Sequence, residues 1–308
     1  MNKKILITGG TGFIGYHLAK KCLKLNWLVT SLSTKKPGKD RKLNKVKYKI
    51  CDLFNDKKIK KIISLDYDYV VNLAGYVDHS NKFKTMQSHY HGCKKISEYF
   101  LKSKIKKFIQ IGSSIEYGKI RSPQIEKNIN TQKTFSTYGK AKLLTTKHLL
   151  NLHRKFKFPA TILRLYLVYG PGQDANRVIP ITIKNAIKNK NFNCSDGLQF
   201  RDFVHIDDVV SAIIKTLKNN KVSGYIFNIG SGKPVQIKKI ILRICRLVGS
   251  GKPQFGKIKL RKDEISSLYP DITKAKNILK WKPKIKLNLG LKKTVNYYKK
   301  NEIFNNSL

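Results

Sequence analysis

The stretch that decides the fold lies near the start of the chain and reads Thr8-Gly9-Gly10-Thr11-Gly12-Phe13-Ile14-Gly15. It follows a short apolar run and opens an amphipathic stretch, as the first turn of a βαβ unit does. In that setting Gly9 permits a tight turn, Gly12 lets backbone N–H groups approach a pyrophosphate, and Gly15 lets helix and strand pack closely. The motif and its context predict a dinucleotide-binding loop that includes Phe13 and Ile14. An ordinary glycine-rich turn is the alternative.

Outward from this loop, the first half of the chain alternates short apolar runs with amphipathic stretches, which is typical of parallel strands joined by helices. The predicted strands are Ile5–Thr8, Leu28–Leu32, Val46–Ile50, Tyr69–Leu73, Phe108–Ile111 and Thr161–Leu165. The predicted helices are Ile14–Leu25, Lys57–Ile63, Thr85–Lys102 and Ser136–Phe156. The pattern predicts the α/β class with a doubly wound parallel sheet of the Rossmann type, whose ligand site lies at the carboxyl ends of the strands.

The second half of the chain has a different sequence pattern. After about residue 168 the alternation loosens and Gly and Pro are interspersed. We expect residues 1–168 to form the dinucleotide-binding domain and residues 169–308 to form mainly a smaller C-terminal α/β substrate domain, with an interleaved boundary. Because no low-complexity linker separates them, the two parts should pack directly, and the cleft between them is the expected ligand site.

The composition is strongly basic, since 64 Lys and Arg residues stand against 18 Asp and Glu residues and give a formal charge of +46 over 308 residues. Such a charge can attract nucleic acid, an anionic membrane surface or a small anionic substrate. The lysines run through nearly every segment, which favours a compositional bias with solvated side chains over a nucleic-acid site. The 41% of hydrophobic residues excludes a disordered basic tail.

Cysteine spacing and hydropathy indicate the cellular compartment in which the protein is expected to work. The five cysteines are scattered with no Cys-x-x-Cys pair, which indicates neither a disulfide framework nor a thiolate zinc site, and we expect no metal. No apolar run approaches the roughly 18 to 20 residues that span a bilayer. The first residues lead directly into a predicted strand rather than a signal peptide. We therefore expect a cytoplasmic protein without a membrane partner.

The end of the second predicted strand bears on which dinucleotide binds. An acidic residue usually binds the adenosine ribose of NAD there, but this chain reads Ser33, Thr34 and Lys35. Hydroxyl groups beside a lysine suit a 2′-phosphate, so we expect NADP(H) to be favoured slightly over NAD(H). Asp52 and Leu53 follow the third strand, where the carboxylate could accept a hydrogen bond from the adenine amino group. A turn-forming Asp is the alternative.

A tyrosine and a lysine four residues apart lie near the start of the fourth predicted helix. This spacing puts Tyr138 and Lys142 on one helical face, so that the ammonium can lie near the phenol. A free tyrosine, with a pKa near 10, is a poor base at neutral pH, but nearby positive charge favours the phenolate. Ser113 follows the fifth predicted strand at its carboxyl side and could bind the oxygen that Tyr138 protonates. We interpret Tyr138 as a proton carrier.

These motifs together resemble the extended short-chain dehydrogenase/reductase superfamily, in its nucleotide-sugar epimerase, dehydratase and reductase branch, over nearly the whole chain. Further segments that carry the resemblance are Leu73-Ala74-Gly75, Ser113-Ser114, Tyr117-Gly118, Val168–Gln173, Arg201–Asp208, Phe227–Gly232 and Leu279–Pro283. The resemblance implies that Tyr138 is the acid/base and that Lys142 tunes it while holding the nicotinamide ribose. It implies that Ser113 orients the reacting oxygen, with Ser114 as the alternative, and that Leu73-Ala74-Gly75 contacts the cofactor.

The resemblance also implies where the substrate, a nucleotide-diphosphate sugar, binds. Arg201 looks like the family's arginine for the substrate diphosphate, and Arg261 resembles a second one, since an Arg fork binds phosphate oxygens bidentately. The alternative for Arg261 is an exposed basic residue. Asn176 and Arg177 open a predicted helix and are expected to line the sugar pocket.

Several positions depart from the family pattern. Sugar 4,6-dehydratases carry an Asp-Glu pair where this chain has Ser114 and Ile115, and elimination needs an acid and a base, so dehydration is disfavoured. Glu116 should point the other way if the segment is extended. Leu167 replaces an Asn that helps many epimerases to bind the diphosphate. His89 stands where the family often has Asn, and we predict that it packs rather than catalyses.

The sequence therefore predicts an NAD(P)-dependent oxidoreductase that transfers a hydride at hexose C4 of a nucleotide-diphosphate sugar. The expected reaction is reduction of a 4-keto-6-deoxyhexose, and an NAD-dependent 4-epimerase is the alternative, because the same residues serve both. A non-catalytic or RNA-binding member of the superfamily is a third alternative, which the intact Tyr138 and Lys142 oppose. The resemblance also implies a homodimer built from the helices Thr85–Lys102 and Ser136–Phe156.

Overall fold

The computed structural model describes residues 2–54, 56–78, 80–127, 134, 136–260 and 264–301. The strands are β1 (Lys4–Thr8), β2 (Leu28–Ser33), β3 (Val46–Ile50), β4 (Tyr69–Asn72), β5 (Lys107–Ser113), β6 (Ala160–Leu165), β7 (Leu167–Tyr169), β8 (Asn191–Asn193), β9 (Phe200–His205), β10 (Ile226–Ile229), β11 (Pro234–Gln236), β12 (Lys252–Gln254) and β13 (Ser267–Leu268). The helices are α1 (Phe13–Lys24), α2 (Asp56–Ile62), α3 (Lys82–Met86), α4 (Gly92–Tyr99), α5 (Thr137–Phe156), α6 (Val178–Ile187), α7 (Ile206–Leu217), α8 (Ile237–Val248), α9 (Thr273–Asn277) and α10 (Leu287–Lys300).

Seven strands form one sheet in the order β10-β6-β5-β4-β1-β2-β3, and every pairing in it is parallel. The chain order reverses beside β1, where β4 pairs on the side opposite β2, so the carboxyl ends of β1 and β4 border the ligand crevice of a doubly wound sheet. The predicted fold class is confirmed, and the six predicted strands correspond to β1 through β6. The sequence pattern did not predict the seventh strand, β10.

Helices cover both faces of the large sheet, because successive side chains of a strand point to opposite faces. On one face, Ile5 and Ile7 of β1 pack in one cluster with Leu18 of α1 and Ile213 of α7. On the other face, Leu6 belongs to a second cluster with residues of α2, α4 and α5, namely Ile59, Ile96 and Leu149. The near-continuous apolar character of the strands is therefore explained by burial on both sides.

A smaller unit follows the sheet in the C-terminal half. Strands β11, β9 and β13 form a second sheet, to which β7 is added through its parallel pairing with β9. Helices α6, α8 and α10 share a third core cluster, which includes Ile183, Ile240 and Leu291. Strand β10 follows residue 169 but lies in the large sheet beside β6. The expected division of the chain at residue 168 stays a prediction.

The predicted helix Thr85–Lys102 is divided in the structure. It consists of α3, a π-helical turn over Gln87–His91, and α4. Such π turns occur mostly as single insertions, often at functional sites. Across the part of the chain that the structure describes, no helix combines the length and apolar character that a bilayer crossing needs.

Candidate active site

The glycine loop connects β1 to α1 at the carboxyl edge of the large sheet. Gly9 has a φ of +69°, and a Cβ there would lie 2.8 Å from the carbonyl oxygen of Leu73. A Cβ on Gly15 would lie 2.5 Å from the carbonyl oxygen of Gly9, so the helix can approach the loop only with glycine at this position. Both contacts involve backbone atoms, which cannot rotate away as a side chain can.

The start of α1 faces this loop with its N–H groups. Gly12 precedes the helix in an extended conformation, and no side chain of the described residues caps it. The first N–H groups of the helix belong to Phe13 and Ile14, and they carry the partial positive charge of the helix N-terminus. The loop therefore fits a pyrophosphate, which backbone N–H groups at such an end bind well.

The ends of β2 and β3 lie beside the loop. The Ser33 hydroxyl accepts a hydrogen bond from the Thr11 N–H at 3.3 Å, while Thr34 and Lys35 are exposed. Asp52 is exposed and accepts from the N–H of Phe54 at 3.0 Å, as in a turn, and the Leu53 side chain is buried. No acidic side chain stands at the end of β2, where one would bind a free adenosine ribose.

A chain of polar contacts runs beneath this edge from β1 to β5. The N–H of Ala74 donates to Thr8 Oγ1 and to Asn72 Oδ1, both at 3.3 Å. The Asn72 amide donates to Gln110 Oε1 at 2.7 Å, and the Gln110 amide donates to the carbonyl oxygen of Ile111, also at 2.7 Å. The segment Leu73-Ala74-Gly75 is thereby held against β1 and β5.

The same carbonyl of Ile111 positions the lysine of the candidate pair. Lys142 is buried, and its Nζ donates to that oxygen at 2.7 Å. The ammonium lies 5.8 Å from the centre of the Tyr138 ring. Helix α5 begins at Thr137, where the Ser136 hydroxyl caps it by accepting from the Gly139 N–H. The cap places the tyrosine and the lysine in the first two turns of α5.

Ser113 ends β5, next to the first turn of α5. A Cβ on Gly139 would lie 3.3 Å from the carbonyl oxygen of Ile115, so the helix rests on the 3₁₀ turn that follows the serine. The Ser113 hydroxyl accepts a long hydrogen bond of 3.4 Å from the Ile115 N–H. Ser114, the alternative hydroxyl, is buried. The structure thus brings Ser113, Tyr138 and Lys142 to one place at the carboxyl end of β5.

Glu116 differs from expectation because the segment after Ser113 is a 3₁₀ turn rather than an extended strand. Its side chain turns inward, is fully buried and forms an ion pair of 2.9 Å with Arg164. It also accepts hydrogen bonds from the Thr146 hydroxyl at 2.7 Å and from the Ser113 N–H at 2.8 Å. No local sequence pattern indicates this contact, since Arg164 lies 48 residues farther along the chain.

His89 packs against the candidate tyrosine. The two rings are nearly perpendicular, and their centres lie 4.9 Å apart. The imidazole Nε2 lies 3.1 Å from the carbonyl oxygen of Tyr76, and a Cβ on Gly75 would lie 2.0 Å from His89 Cε1. The histidine belongs to the π-helical turn, and its carbonyl oxygen accepts from the Thr145 hydroxyl at 2.9 Å.

The residues expected to bind substrate are less concentrated. Arg201 is buried on β9, where it forms an ion pair with Glu264 and donates to the carbonyl oxygen of Phe200. Burial lowers the pKa of Arg201, and the Glu264 carboxylate acts against this shift. Asn176 and Arg177 are exposed just before α6. Arg261 lies outside the described residues.

Two other features lie apart from this site. A cavity of about 710 Å³ borders the outer side of α1, lined among others by His17, Arg41, Asp174 and Tyr297. It shares no lining residue with the glycine loop or the Ser113 cluster, so we do not assign the reaction to it. Among the described residues, no group of three or more His, Cys, Asp or Glu side chains could hold a metal ion.

Comparison with known proteins gives a consistent picture. Residues 5–230 match the model of the NAD dependent epimerase/dehydratase family. A putative UDP-glucose 4-epimerase of Methanocaldococcus jannaschii is 31% identical over 311 residues, which covers 96% of this chain and 99% of the relative. The dTDP-D-glucose 4,6-dehydratase of Homo sapiens is 27% identical over 325 residues, which covers 97% and 91% of the two chains.

Among solved structures, this chain is similar to the UDP-glucuronic acid 4-epimerase of Bacillus cereus, which was solved in complex with UDP-glucuronic acid and NAD. The TM-score is 0.86 at 27% identity, and the match covers 97% of this chain and 99% of the epimerase. The TM-score shows that the two chains share their fold. The chain belongs to the NAD-dependent epimerase/dehydratase family, whose members act on nucleotide sugars.

Proposed function

We propose that this chain is an NAD(P)-dependent oxidoreductase that transfers a hydride at hexose C4 of a nucleotide-diphosphate sugar. The observation that carries the proposal is the cluster of Ser113, Tyr138 and Lys142 at the carboxyl end of β5. It supplies a hydroxyl, a phenol and an ammonium at the edge of the sheet where the glycine loop also lies. The names of the relatives as 4-epimerases support C4 as the reacting carbon.

In this mechanism the protein moves one proton while the sugar is oxidised or reduced. The Tyr138 hydroxyl exchanges that proton with the oxygen on C4. The Ser113 hydroxyl donates a hydrogen bond to the same oxygen and so fixes its position. The Lys142 ammonium, held by the Ile111 carbonyl, stabilises negative charge on the phenol oxygen. The nicotinamide ring, when bound, supplies the acceptor and donor of the hydride.

The residues around the glycine loop would hold the cofactor. The N–H groups of Phe13 and Ile14 suit its pyrophosphate, and we assign its adenine to Asp52 and Leu53. We propose NAD(H) as the working cofactor, because a structural relative at 27% identity was solved with NAD. The preference for NADP(H) expected from the Ser33–Lys35 segment is retained as the alternative, since no carboxylate there would repel a 2′-phosphate.

The substrate proposal places the nucleotide diphosphate on Arg201 and Arg261. In that arrangement Asn176, Arg177 and Ser114 line the sugar pocket. The position of Arg201 supports this role. It lies on β9, which pairs with β7, and β7 follows directly after the carboxyl end of β6. A buried guanidinium binds phosphate oxygens more strongly than a solvated one.

The relatives favour 4-epimerisation as the first reaction to test, and 4-keto reduction is the second candidate. Reduction is favoured by Leu167, which stands where many epimerases of the resembled branch have Asn, and by the Ser33–Lys35 segment. Dehydration is disfavoured because Ile115 has no ionisable group and Glu116 is enclosed by Arg164 and Thr146.

The experiment compares the two reactions in one preparation. Epimerisation predicts interconversion of UDP-glucose or UDP-glucuronate at C4 with no net use of NAD. Reduction predicts stoichiometric loss of NAD(P)H absorbance with a nucleotide-linked 4-keto-6-deoxyhexose. In either case we expect Tyr138→Phe to lower kcat by roughly 100-fold or more. Tyr225→Phe, at the amino end of β10, is the matched control and should keep its turnover. Full turnover in Tyr138→Phe would refute the proposed role of the phenol.

We also propose that two copies associate through the helices α3 to α5, as the family resemblance implies. Static light scattering should then give twice the 35.4 kDa of one chain. A mass of 35.4 kDa across the working concentration range would contradict the dimer.

A further inference from the structure

The buried carboxylate of Glu116 has both of its oxygens in use. Oε1 accepts a hydrogen bond of 2.8 Å from the backbone N–H of Ser113. Oε2 accepts from the Thr146 hydroxyl at 2.7 Å and from Nε and Nη2 of Arg164, each at 2.9 Å. Because the side chain has no exposed surface, solvent does not screen these contacts.

We propose that Glu116 is a positioning residue for Ser113, an inference that rests on the proposed role of this serine in the C4 reaction. The carboxylate fixes the backbone at the last residue of β5, where the strand changes into a 3₁₀ turn. Fixing the backbone there sets the direction of the Ser113 hydroxyl. Its contact with the Ile115 N–H uses the hydroxyl as an acceptor, so its own proton is available for a substrate oxygen.

The surroundings are shaped to receive this carboxylate. A Cβ on Gly112 would lie 2.5 Å from Glu116 Oε1, so glycine leaves the space that the side chain fills. Gly112 is also the register partner of Arg164 on the adjacent strand β6. The carboxylate and the guanidinium therefore meet directly under the end of β5.

The arginine is itself held on its other side. Its guanidinium carbon lies 4.3 Å from the centre of the Tyr117 ring, and the Tyr117 hydroxyl donates to Asn228 Oδ1 on β10 at 2.8 Å. The support for Ser113 thus extends across β5, β6 and β10. A catalytic hydroxyl fixed in this way loses little freedom when substrate binds, which is the advantage of a preorganised site.

Removing only one partner of a buried ion pair leaves an uncompensated charge and can prevent folding, whereas removing both is often neutral. The test therefore uses paired variants. Glu116→Leu/Arg164→Met removes the charge pair together with the acceptor for the Ser113 N–H. Glu116→Gln/Arg164→Met removes the charges but retains an amide oxygen as acceptor. Thr146→Val is the control, because it loses a contact with the same carboxylate that does not involve Ser113.

We expect Glu116→Leu/Arg164→Met to fold and to lower kcat by roughly 10- to 100-fold while the KM for the sugar nucleotide changes by less than about threefold. Glu116→Gln/Arg164→Met should recover most of the loss, and Thr146→Val should keep the wild-type kcat. A folded Glu116→Leu/Arg164→Met enzyme with wild-type kcat would overturn the proposal. So would a Thr146→Val variant as slow as Glu116→Leu/Arg164→Met.

A double-mutant cycle separates positioning from general structural damage. In the Ser113→Ala background, Glu116→Leu/Arg164→Met should cause little further loss of kcat, because the group that it positions is already absent. Full additivity of the two losses would show that Glu116 does not act through Ser113.

A spectroscopic measurement tests the positioning without relying on turnover. In protein labelled with ¹⁵N-serine, the Ser113 amide signal is identified by its absence in Ser113→Ala. Its proton should move upfield in Glu116→Leu/Arg164→Met and return towards the wild-type position in Glu116→Gln/Arg164→Met. An unmoved signal would overturn the inference. Wild-type turnover in Ser113→Ala would instead contradict the proposed function, while the amide signal would still decide whether Glu116 orders the turn.

Discussion

Ser33, at the end of β2, is the residue where cofactor choice can be tested most directly. A carboxylate at this position would bind the adenosine ribose hydroxyls and repel a 2′-phosphate. We expect Ser33→Asp to raise the ratio of the NADP⁺ to the NAD⁺ dissociation constant by about tenfold or more, since tenfold corresponds to only about 1.4 kcal/mol. Titration with both dinucleotides measures this ratio.

The neutral isostere provides the control for that variant. Ser33→Asn retains an oxygen that can accept from the Thr11 N–H, as the serine does, but adds no charge. Its ratio of dissociation constants should therefore stay close to that of the wild type. If Ser33→Asp left the ratio unchanged, the adenosine ribose would lie away from the end of β2.

At the level of single residues, sequence reasoning succeeded where the partners are close in the chain. The proximity of Lys142 to Tyr138 follows from helical spacing alone, because residues four apart share a face. The inward turn of Glu116 and the contact of His89 with Tyr138 depend on partners 48 and 49 residues away. No local pattern encodes such contacts, so only the folded chain reveals them.

The junction of β1 and α1 leaves no room for a side chain at Gly15. A Cβ on Gly15 would lie 2.5 Å from the Gly9 carbonyl oxygen and 2.6 Å from the Gly10 Cα. We expect Gly15→Ala to lower the free energy of unfolding by about 1–3 kcal/mol. The displaced helix should also weaken NAD⁺ binding by roughly tenfold. Urea denaturation and dinucleotide titration measure the two effects.

Gly38 offers the matched control because it lies in a loop where an added Cβ would meet no atom within 4 Å. Its φ of −61° suits any residue. Gly38→Ala should therefore change the free energy of unfolding by no more than about 0.5 kcal/mol. Equal stability of the two variants would show that the close approach at Gly15 is relieved by a small shift of α1.

Strand β5 carries a buried amine at its amino end, far from the catalytic edge. Lys107 has no exposed surface, its Nζ donates to the Ser223 hydroxyl at 2.7 Å, and burial lowers its pKa to about 8. Between pH 8 and the ordinary lysine pKa of about 10.5, the unfolded chain holds a proton that the folded chain has lost. Stability due to this group therefore rises with pH across that window and is lowest below it.

Replacing the amine should remove this dependence. We expect Lys107→Met to raise the melting temperature at pH 7 and to flatten the rise in stability above pH 8. Lys106→Met is the control, since the neighbouring Lys106 side chain is 57% exposed and pairs with Asp68. An unchanged pH dependence in Lys107→Met would show that the ammonium reaches solvent in the folded protein.

At the level of elements, the period of the apolar runs was sufficient for β1 to β6, most of which are followed in the chain by a helix that packs on the sheet. It was insufficient for β10, which pairs with β6 although about 60 residues separate them in sequence. The Phe227–Gly232 segment supported the family resemblance, but its place in the large sheet depends on long-range pairing.

For the molecule as a whole, the charge of +46 bears on how anionic ligands arrive rather than on which reaction follows. The candidate site itself holds few of these charges, and Arg201 and Lys142 are buried there. Most lysines act only through the long-range field, which salt screens. Raising the salt concentration from about 0.1 M to about 1 M shortens the Debye length from about 10 Å to about 3 Å.

We therefore expect kcat/KM for a nucleotide-diphosphate sugar to fall several-fold over this salt range, while kcat changes by less than about twofold. The reason is that short-range contacts at the half-buried cluster are screened less than the long-range attraction that governs encounter. Lys60→Gln/Lys61→Gln, on the exposed face of α2, should lower kcat/KM slightly at low salt and leave it unchanged at high salt. Steady-state kinetics at several salt concentrations measure both effects. A different result would favour an RNA-binding role for the same basic surface. That result is a salt-sensitive affinity for short single-stranded RNA that persists in Tyr138→Phe and competes with the dinucleotide.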